Sequence, residues 1–164
     1  MGLRLEGRRF QSRNTRAILA GKEIMLLRPV TFMNQNGKSI KACADFYHLQ
    51  PRDMLIIHDD LDLPLGRVKV VSNGGTGGHK GVRSIIDHLG SKEFHRLKIG
   101  IGRPRYGEAI EDYVLSPFYK EEEEIIVNVL ETGTQACKLF VSEGVDSAMN
   151  HINCLNLTSK EVNN

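Results

Sequence analysis

The sequence is short of the residues from which several protein classes are built. Its three cysteines, Cys43, Cys137 and Cys154, are odd in number and have no C-x-x-C spacing. That leaves neither a disulfide framework nor a thiolate metal site, and the thiols read as reduced, as in a cytoplasmic protein. No apolar run approaches the ~20 residues that cross a bilayer, so no membrane partner is expected, and no charged-then-apolar leader opens the chain. Met1-Gly2 would suit N-myristoylation, but Glu6 stands where serine or threonine is wanted. Charge of one sign is missing too: 22 Lys and Arg against 20 Asp and Glu leave a net charge of +2, which by itself names no partner. There are no repeats, no low-complexity segment and no linker. What remains is 40% hydrophobic and 26% charged, an ordinary soluble composition in a length that suits one domain, residues 1–164, with a buried core.

Met1 to Asn14 is basic and patternless, carrying Arg4, Arg8, Arg9 and Arg13, and is expected to be irregular over 1–14. Thr15 to Leu19 and Glu23 to Leu27 read as strands joined by a turn at Ala20-Gly21-Lys22. Pro29 cannot continue a ladder, so Arg28 to Asn34 leaves as a loop. From Asn36 the spacing of Ile40, Cys43, Ala44 and Tyr47 predicts a helix to about His48, stopped by Pro51. Met54 to His58, Arg67 to Ser72 and Leu97 to Ile101 read as further strands. Asn73 to Gly81 is a glycine loop that opens a helix from Lys80 to about Leu89, with Val82, Ile85, Ile86 and Leu89 turned inward. Gly102 to Gly107 is a loop able to move. Ser116 and Pro117 suit the N-cap and first position of a helix, with Glu121 to Glu124 in its early turns. That helix should run to about Ser142 and stop at Gly144. A short helix near Asp146 to Ile152 and a polar tail over 153–164 complete the chain. Alternating strands and helices predict an α/β fold: a mixed, twisted sheet flanked by helices.

The chemistry-bearing residues gather between Ile56 and Arg83. His58, Asp59, Asp60 and Asp62 fall where a buried strand should end, beside the glycine loop, which is where α/β proteins place their sites. The carboxylates could hold a divalent cation, serve acid/base or orienting chemistry, or simply form a turn; the spacing is not that of an EF-hand. The loop fits neither nucleotide template, because Lys80 occupies the third glycine of a G-x-G-x-x-G and Phe32 the first glycine of a P-loop. His79 and Lys80 at a helix N-terminus still favour an anion, with a flexible connection as the competing reading. From Arg67 to Arg105 nine cations face only Asp87 and Glu93, either a footprint for a phosphate-bearing partner or a solvated basic face. Aromatic residues are 6% of the chain and tryptophan is absent; little aromatic interleaving means that stacking on unpaired bases is not indicated. Thr31-Phe32-Met33-Asn34 suits a small apolar pocket with one hydrogen-bonding amide, or equally core packing by Phe32 and helix capping by Asn34.

Together, LLRPVTFMNQNGKSI (Leu26 to Ile40), IIHDDLDLPLGRVK (Ile56 to Lys69), NGGTGGHKGVRSI (Asn73 to Ile85) and FHRLKIGIGRP (Phe94 to Pro104) resemble the bacterial-type peptidyl-tRNA hydrolase family, in order and in spacing, from about Arg16 to about His151. The resemblance implies hydrolysis of the ester joining a peptide to the 3′ end of tRNA, with no metal and no cofactor. It implies a histidine general base whose tautomer Asp59 fixes, Asn34 binding substrate and positioning the water or developing oxyanion, Phe32 and Met33 walling the substrate's end, and His79 in the same cleft. Lys80, Arg83, Arg103 and Arg105 become candidates for tRNA phosphates. Lys80 stands where the family usually has an asparagine, which removes an amide's paired donor and acceptor. The family also opens with a strand, a GLGNPG-like loop and a helix whose TRHN-like motif supplies the general base; Asn14-Thr15-Arg16 echoes only a fragment of it. An N-terminally truncated chain of this family is therefore expected to lose about two to four orders of magnitude in rate and to self-associate through open sheet edges, whereas a complete one is expected to be a monomer. A non-catalytic RNA-binding relative, or an inactive truncated copy, is the alternative.

Overall fold

The computed structural model describes residues 3–157. The chain forms two compact units interleaved in sequence, Met1–Leu55 with Ser72–His95, and Ile56–Val71 with Arg96–Asn164.

In the first unit, β1 (Ser12–Leu19) and β2 (Lys22–Pro29) pair antiparallel, from Ser12 opposite Pro29 to Leu19 opposite Lys22. Ala20 and Gly21 both take positive φ (50° and 75°), the turn whose twist matches that of paired strands. A second tight turn precedes β1. Phe10 and Gln11 have φ of 54° and 51°, the Ser12 N–H donates to the Arg9 carbonyl at 2.9 Å, and Gly7 bridges Asn14. The expected irregular start is therefore a hairpin. Two non-glycine residues in left-handed backbone cost about 1–2 kcal/mol each. Packing on the first helix offsets part of that: the Phe10 ring lies 5.5 Å from Phe46 and 6.0 Å from Tyr47, and the Arg9 guanidinium sits 4.3 Å over Phe46. Ser12 and Asn14 are buried because they satisfy each other and Arg9: Asn14 Nδ2 donates to Ser12 Oγ at 3.1 Å, and Ser12 Oγ to the Arg9 carbonyl at 2.7 Å.

Helix α1 (Asn36–Tyr47) ends at His48 in left-handed conformation, with its N–H on the Ala44 carbonyl. Helix α2 (Lys80–Leu89) ends likewise at Gly90. The two helices pack together, burying Cys43, Ala44, Val82 and Ile85. Pro51 begins a short 3-10 turn, Pro51–Asp53.

The second unit holds β3 (Leu55–Asp60), β4 (Val68–Val71) and β5 (His95–Gly100), in the order β3-β5-β4. His95 donates to Met54 and Ile101 to Asp60, so numbers rise together along both strands and β3 lies parallel to β5; β4 is antiparallel to it. The sheet is mixed, as expected, but the described strands form two sheets rather than one. Asp59 and Asp60 lie within β3 and not beyond it. Helix α4 (Glu123–Glu143) approaches the sheet at Gly133, where an added Cβ would make ordinary contact, 3.8 Å, with Ile99 Cδ1. Its stop at Gly144 is as expected, and α5 (Val145–Ile152) follows.

One reading needs correction. Ser116 and Pro117 do not start a helix: they follow α3 (Ile110–Leu115), which the sequence did not announce, and Ser116 Oγ donates back to the Asp112 carbonyl at 2.7 Å. The described part of the polar tail packs on β4. Asn153 Oδ1 accepts from Val70 N–H at 2.8 Å while its Nδ2 donates to the Val70 carbonyl at 2.9 Å, and Arg67 donates to the Asn153 and Leu155 carbonyls. Thr158 to Asn164 lies outside the described residues.

Candidate functional site

In the first unit the site is built on a 3-10 turn, Met33–Gln35, leading into α1, and on the start of α2. Both unremarkable explanations of Thr31 to Asn34 fail. Phe32 is 81% exposed, so it is not core. Asn34 caps nothing: the cap position of α1 is Gln35, without a side-chain bond, and the Asn34 amide is exposed with no hydrogen bond among the described residues. Thr31 Oγ1 donates to Asn36 Oδ1 at 2.9 Å and Asn36 Nδ2 contacts Met33 Sδ at 3.1 Å, which holds the turn's shape. An open depression of about 430 Å³ beside it is lined by Gln11, Val30, Thr31, Phe32 and Gln35.

Met33 reaches α2 at Gly81, where a Cβ would lie 2.5 Å from Met33 Sδ and 2.9 Å from the His79 ring. Glycine is needed there for that approach. His79 is the N-cap of α2, its Nδ1 accepting from the Gly81 and Val82 N–H groups, each at 3.1 Å. A ring nitrogen that accepts two amide protons carries none itself, so the neutral ring holds its proton on Nε2. His79 is thereby a hydrogen-bond donor at Nε2 and is not arranged as a base at Nδ1. Lys80 and Arg83 are exposed on the first turn of the helix.

In the second unit, β3 presents His58 and Asp60 to one side and Asp59 to the other, as strand alternation requires. Asp60 Oδ2 takes the Lys98 ammonium at 2.5 Å, and its Oδ1 accepts the Asp62 N–H at 2.8 Å. Burial pushes the Asp60 carboxyl up, but the Lys98 hydrogen bond, the Asp62 amide and the Lys98 and His58 charges outweigh it and hold it below its ordinary value. Buried Arg96 feels the same carboxylate: burial lowers its pKa and Asp60 opposes the fall. His58 Nδ1 lies 2.6 Å from the Asp59 carbonyl and so donates to it, placing the ring's acceptor at Nε2. Asp59 is half-buried at the end of the strand.

Of the carboxylates weighed as metal ligands, Asp60 and Asp62 are paired with cations, Asp62 meeting Arg103 at 2.5 Å; among the described residues no group of three or more His, Cys, Asp or Glu is placed to hold a metal. Arg105 differs from an open phosphate ligand. It bonds buried Glu122 at 2.7 Å and lies 5.0 Å over the Tyr119 ring and 5.9 Å over Tyr106. The Tyr119 hydroxyl donates to Glu108, which raises that phenol to about 12. These contacts tie the Gly102 to Gly107 loop, read as able to move, to the approach to α4. Sequence reasoning missed this clasp and the Lys98 partner of Asp60; a lysine on β5 becomes a signal only once β3 and β5 are paired.

The fold is mixed α/β, with a glycine loop before a histidine-capped helix in the first unit and aspartates at the end of a parallel strand in the second. The sequence model described as peptidyl-tRNA hydrolase matches residues 1–162, a wider span than the four motifs. Peptidyl-tRNA hydrolase of Desulfitobacterium hafniense is 43% identical over 145 residues, 88% of this chain and 78% of that protein. That of Bacillus subtilis is 37% identical over 151 residues, 92% and 80%. A crystal structure of peptidyl-tRNA hydrolase from Acinetobacter baumannii superposes with a TM-score of 0.83 at 34% identity, covering 92% of this chain and 76% of that one. The chain belongs to the peptidyl-tRNA hydrolase family.

Proposed function

We propose that this chain hydrolyses the ester linking a peptide to the 3′ end of tRNA, releasing tRNA for translation. The observation that carries the reading is the family match over residues 1–162. The exposed Asn34 amide, neither packed nor capping, supports a role in binding substrate and stabilising the oxyanion that forms as water adds to the carbonyl carbon. Phe32 and Met33 supply apolar surface for the substrate's end. By resemblance to the family, Asp59 is the aspartate that orients a general-base histidine; the TRHN-like motif that supplies that histidine in the family is echoed here only by Asn14-Thr15-Arg16. His79 contributes its Nε2–H as a donor and keeps the start of α2 in place through Nδ1. Lys80, Arg83 and Arg103 meet tRNA phosphates; Arg105 acts by holding the loop that carries Arg103. The reading carries with it an RNA-binding, cytoplasmic, monomeric enzyme without metal or cofactor, and no helix among the described residues is long and apolar enough to cross a membrane.

The test is release of the acyl group from an N-blocked aminoacyl-tRNA by the 164-residue chain, with Asn34→Ala, Asp59→Ala, His79→Ala and His58→Ala alongside. Release that falls about 100-fold or more in the Asn34 and Asp59 variants supports the assignment. Release unchanged in both overturns it. Salt-sensitive tRNA binding by folded protein with no release replaces it with a non-catalytic RNA-binding role.

A further inference from the structure

The strained turn at Phe10-Gln11 has a consequence for charge. Gly7 bridges Asn14 and Arg9 faces Ser12 across the turn, so Arg8 lies opposite Arg13. On the other side of β1, Arg13 pairs with Arg28. Residues directly opposite in antiparallel strands share a face. Arg8, Arg13 and Arg28 therefore form one row across three neighbouring chain segments, about 4.8 Å apart at the backbone.

Like charges placed opposite one another oppose strand pairing; Glu6, two residues before Arg8, is exposed and makes no ion pair among the described residues. Glu23 is the single acid between Gly7 and Val30, and it is taken by Arg16 at 2.7 Å. Arg8, Arg13 and Arg28 make no ion pair among the described residues; Arg8 and Arg28 are exposed and Arg13 half-buried. Two non-glycine residues hold left-handed backbone to bring Arg8 into the row, and strain of that kind is retained where the geometry serves a purpose.

We propose that this row grips the phosphodiester backbone of double-helical RNA, a contact separate from the residues that meet the ester end of the substrate. Guanidinium forks match phosphate oxygens in pairs, and a row with no interleaved acid or aromatic suits a backbone and not unstacked bases. The inference rests on the proposed function for its ligand, the duplex body of tRNA.

The experiment is fluorescence-anisotropy titration of a blunt RNA hairpin of about 16 base pairs, the span of one duplex-binding module, across a salt series. The probe carries no ester and no 3′ overhang, so its outcome is independent of hydrolysis. The parent chain is expected to bind with steep salt dependence. Arg8→Gln/Arg13→Gln/Arg28→Gln should weaken binding about tenfold or more at low salt, and flatten the log–log slope by about two to three, one phosphate for each arginine. Its melting temperature should be unchanged or higher, because the like-charge row is relieved; a purely structural row would lower it. Equal binding by parent and triple variant overturns the proposal. So does a parent that ignores the hairpin but binds phosphatidylserine vesicles, which would make the row a membrane-surface contact.

Discussion

The backbone N–H of Gly37 donates to Ser84 Oγ at 3.0 Å, and a Cβ on Gly37 would fall 2.0 Å from the Ser84 carbonyl oxygen. The obstacle is the backbone of α2 itself, with His88 Nδ1 a further 2.7 Å contact, so no side-chain rearrangement relieves it. Gly37→Ala should destabilise the protein by about 2–4 kcal/mol through forced separation of α1 and α2. Urea denaturation checks this. Ser84→Ala should cost less, about 1 kcal/mol, since it removes only the bond.

His79 joins a structural and a chemical duty that two substitutions separate. His79→Ala removes the cap and should cost about 1 kcal/mol; His79→Asn restores an oxygen acceptor and should recover most of it. Acyl release should stay depressed in both, because neither returns the Nε2–H. Thermal melts paired with the release assay read this, and an Asn variant as active as the parent would reduce His79 to a cap.

The Asp60–Lys98 pair predicts an acid limb. Because the carboxyl is held below its ordinary value, the pair's stabilisation is complete above about pH 4 and is lost as pH falls through the folded value. Asp60→Asn should be less stable at neutral pH by about 1–2 kcal/mol and should converge with the parent in acid. Melting temperatures from pH 7 downward test the convergence.

At the alkaline end, the hydrogen bond to Glu108 raises Tyr119 to about 12, with burial and the Glu108 charge adding to it. A folded value above the ordinary ~10 means stability is intact below pH 10 and declines as pH rises towards 12. Burial also raises Tyr113, so phenolate absorbance should show late-titrating tyrosines, with the Tyr119 component lost in Tyr119→Phe and moved back towards 10 by Glu108→Gln.

Where hydrophobic spacing and end signals agreed, the sequence was readable: α1 and α2 fall within a residue of expectation, and α4 stops at Gly144, with φ of 95°. It misled where one residue serves opposite ends of a helix. Serine then proline can open a helix or follow one, since proline is also common just past a C-cap, and the choice turned on α3. That helix leaves Leu115 85% exposed and so shows little inward-facing period. Ser12 and Asn14 are poor strand formers by propensity, yet their mutual hydrogen bonds bury them in β1. Asn34, Asp59 and His79 are singled out as catalytic by resemblance alone, and the cap made by His79 was not legible, because it depends on which ring nitrogen turns inward.

Asn153 carries a last consequence. β4 ends the three-stranded order on its side, and a bare strand edge is a template on which other chains can dock. One carboxamide meets both the N–H and the carbonyl of Val70, imitating the peptide group that a fourth strand would have presented. The border of the sheet is closed at its middle by a counterfeit neighbour a single residue long, beside the buried Val68 and Val70.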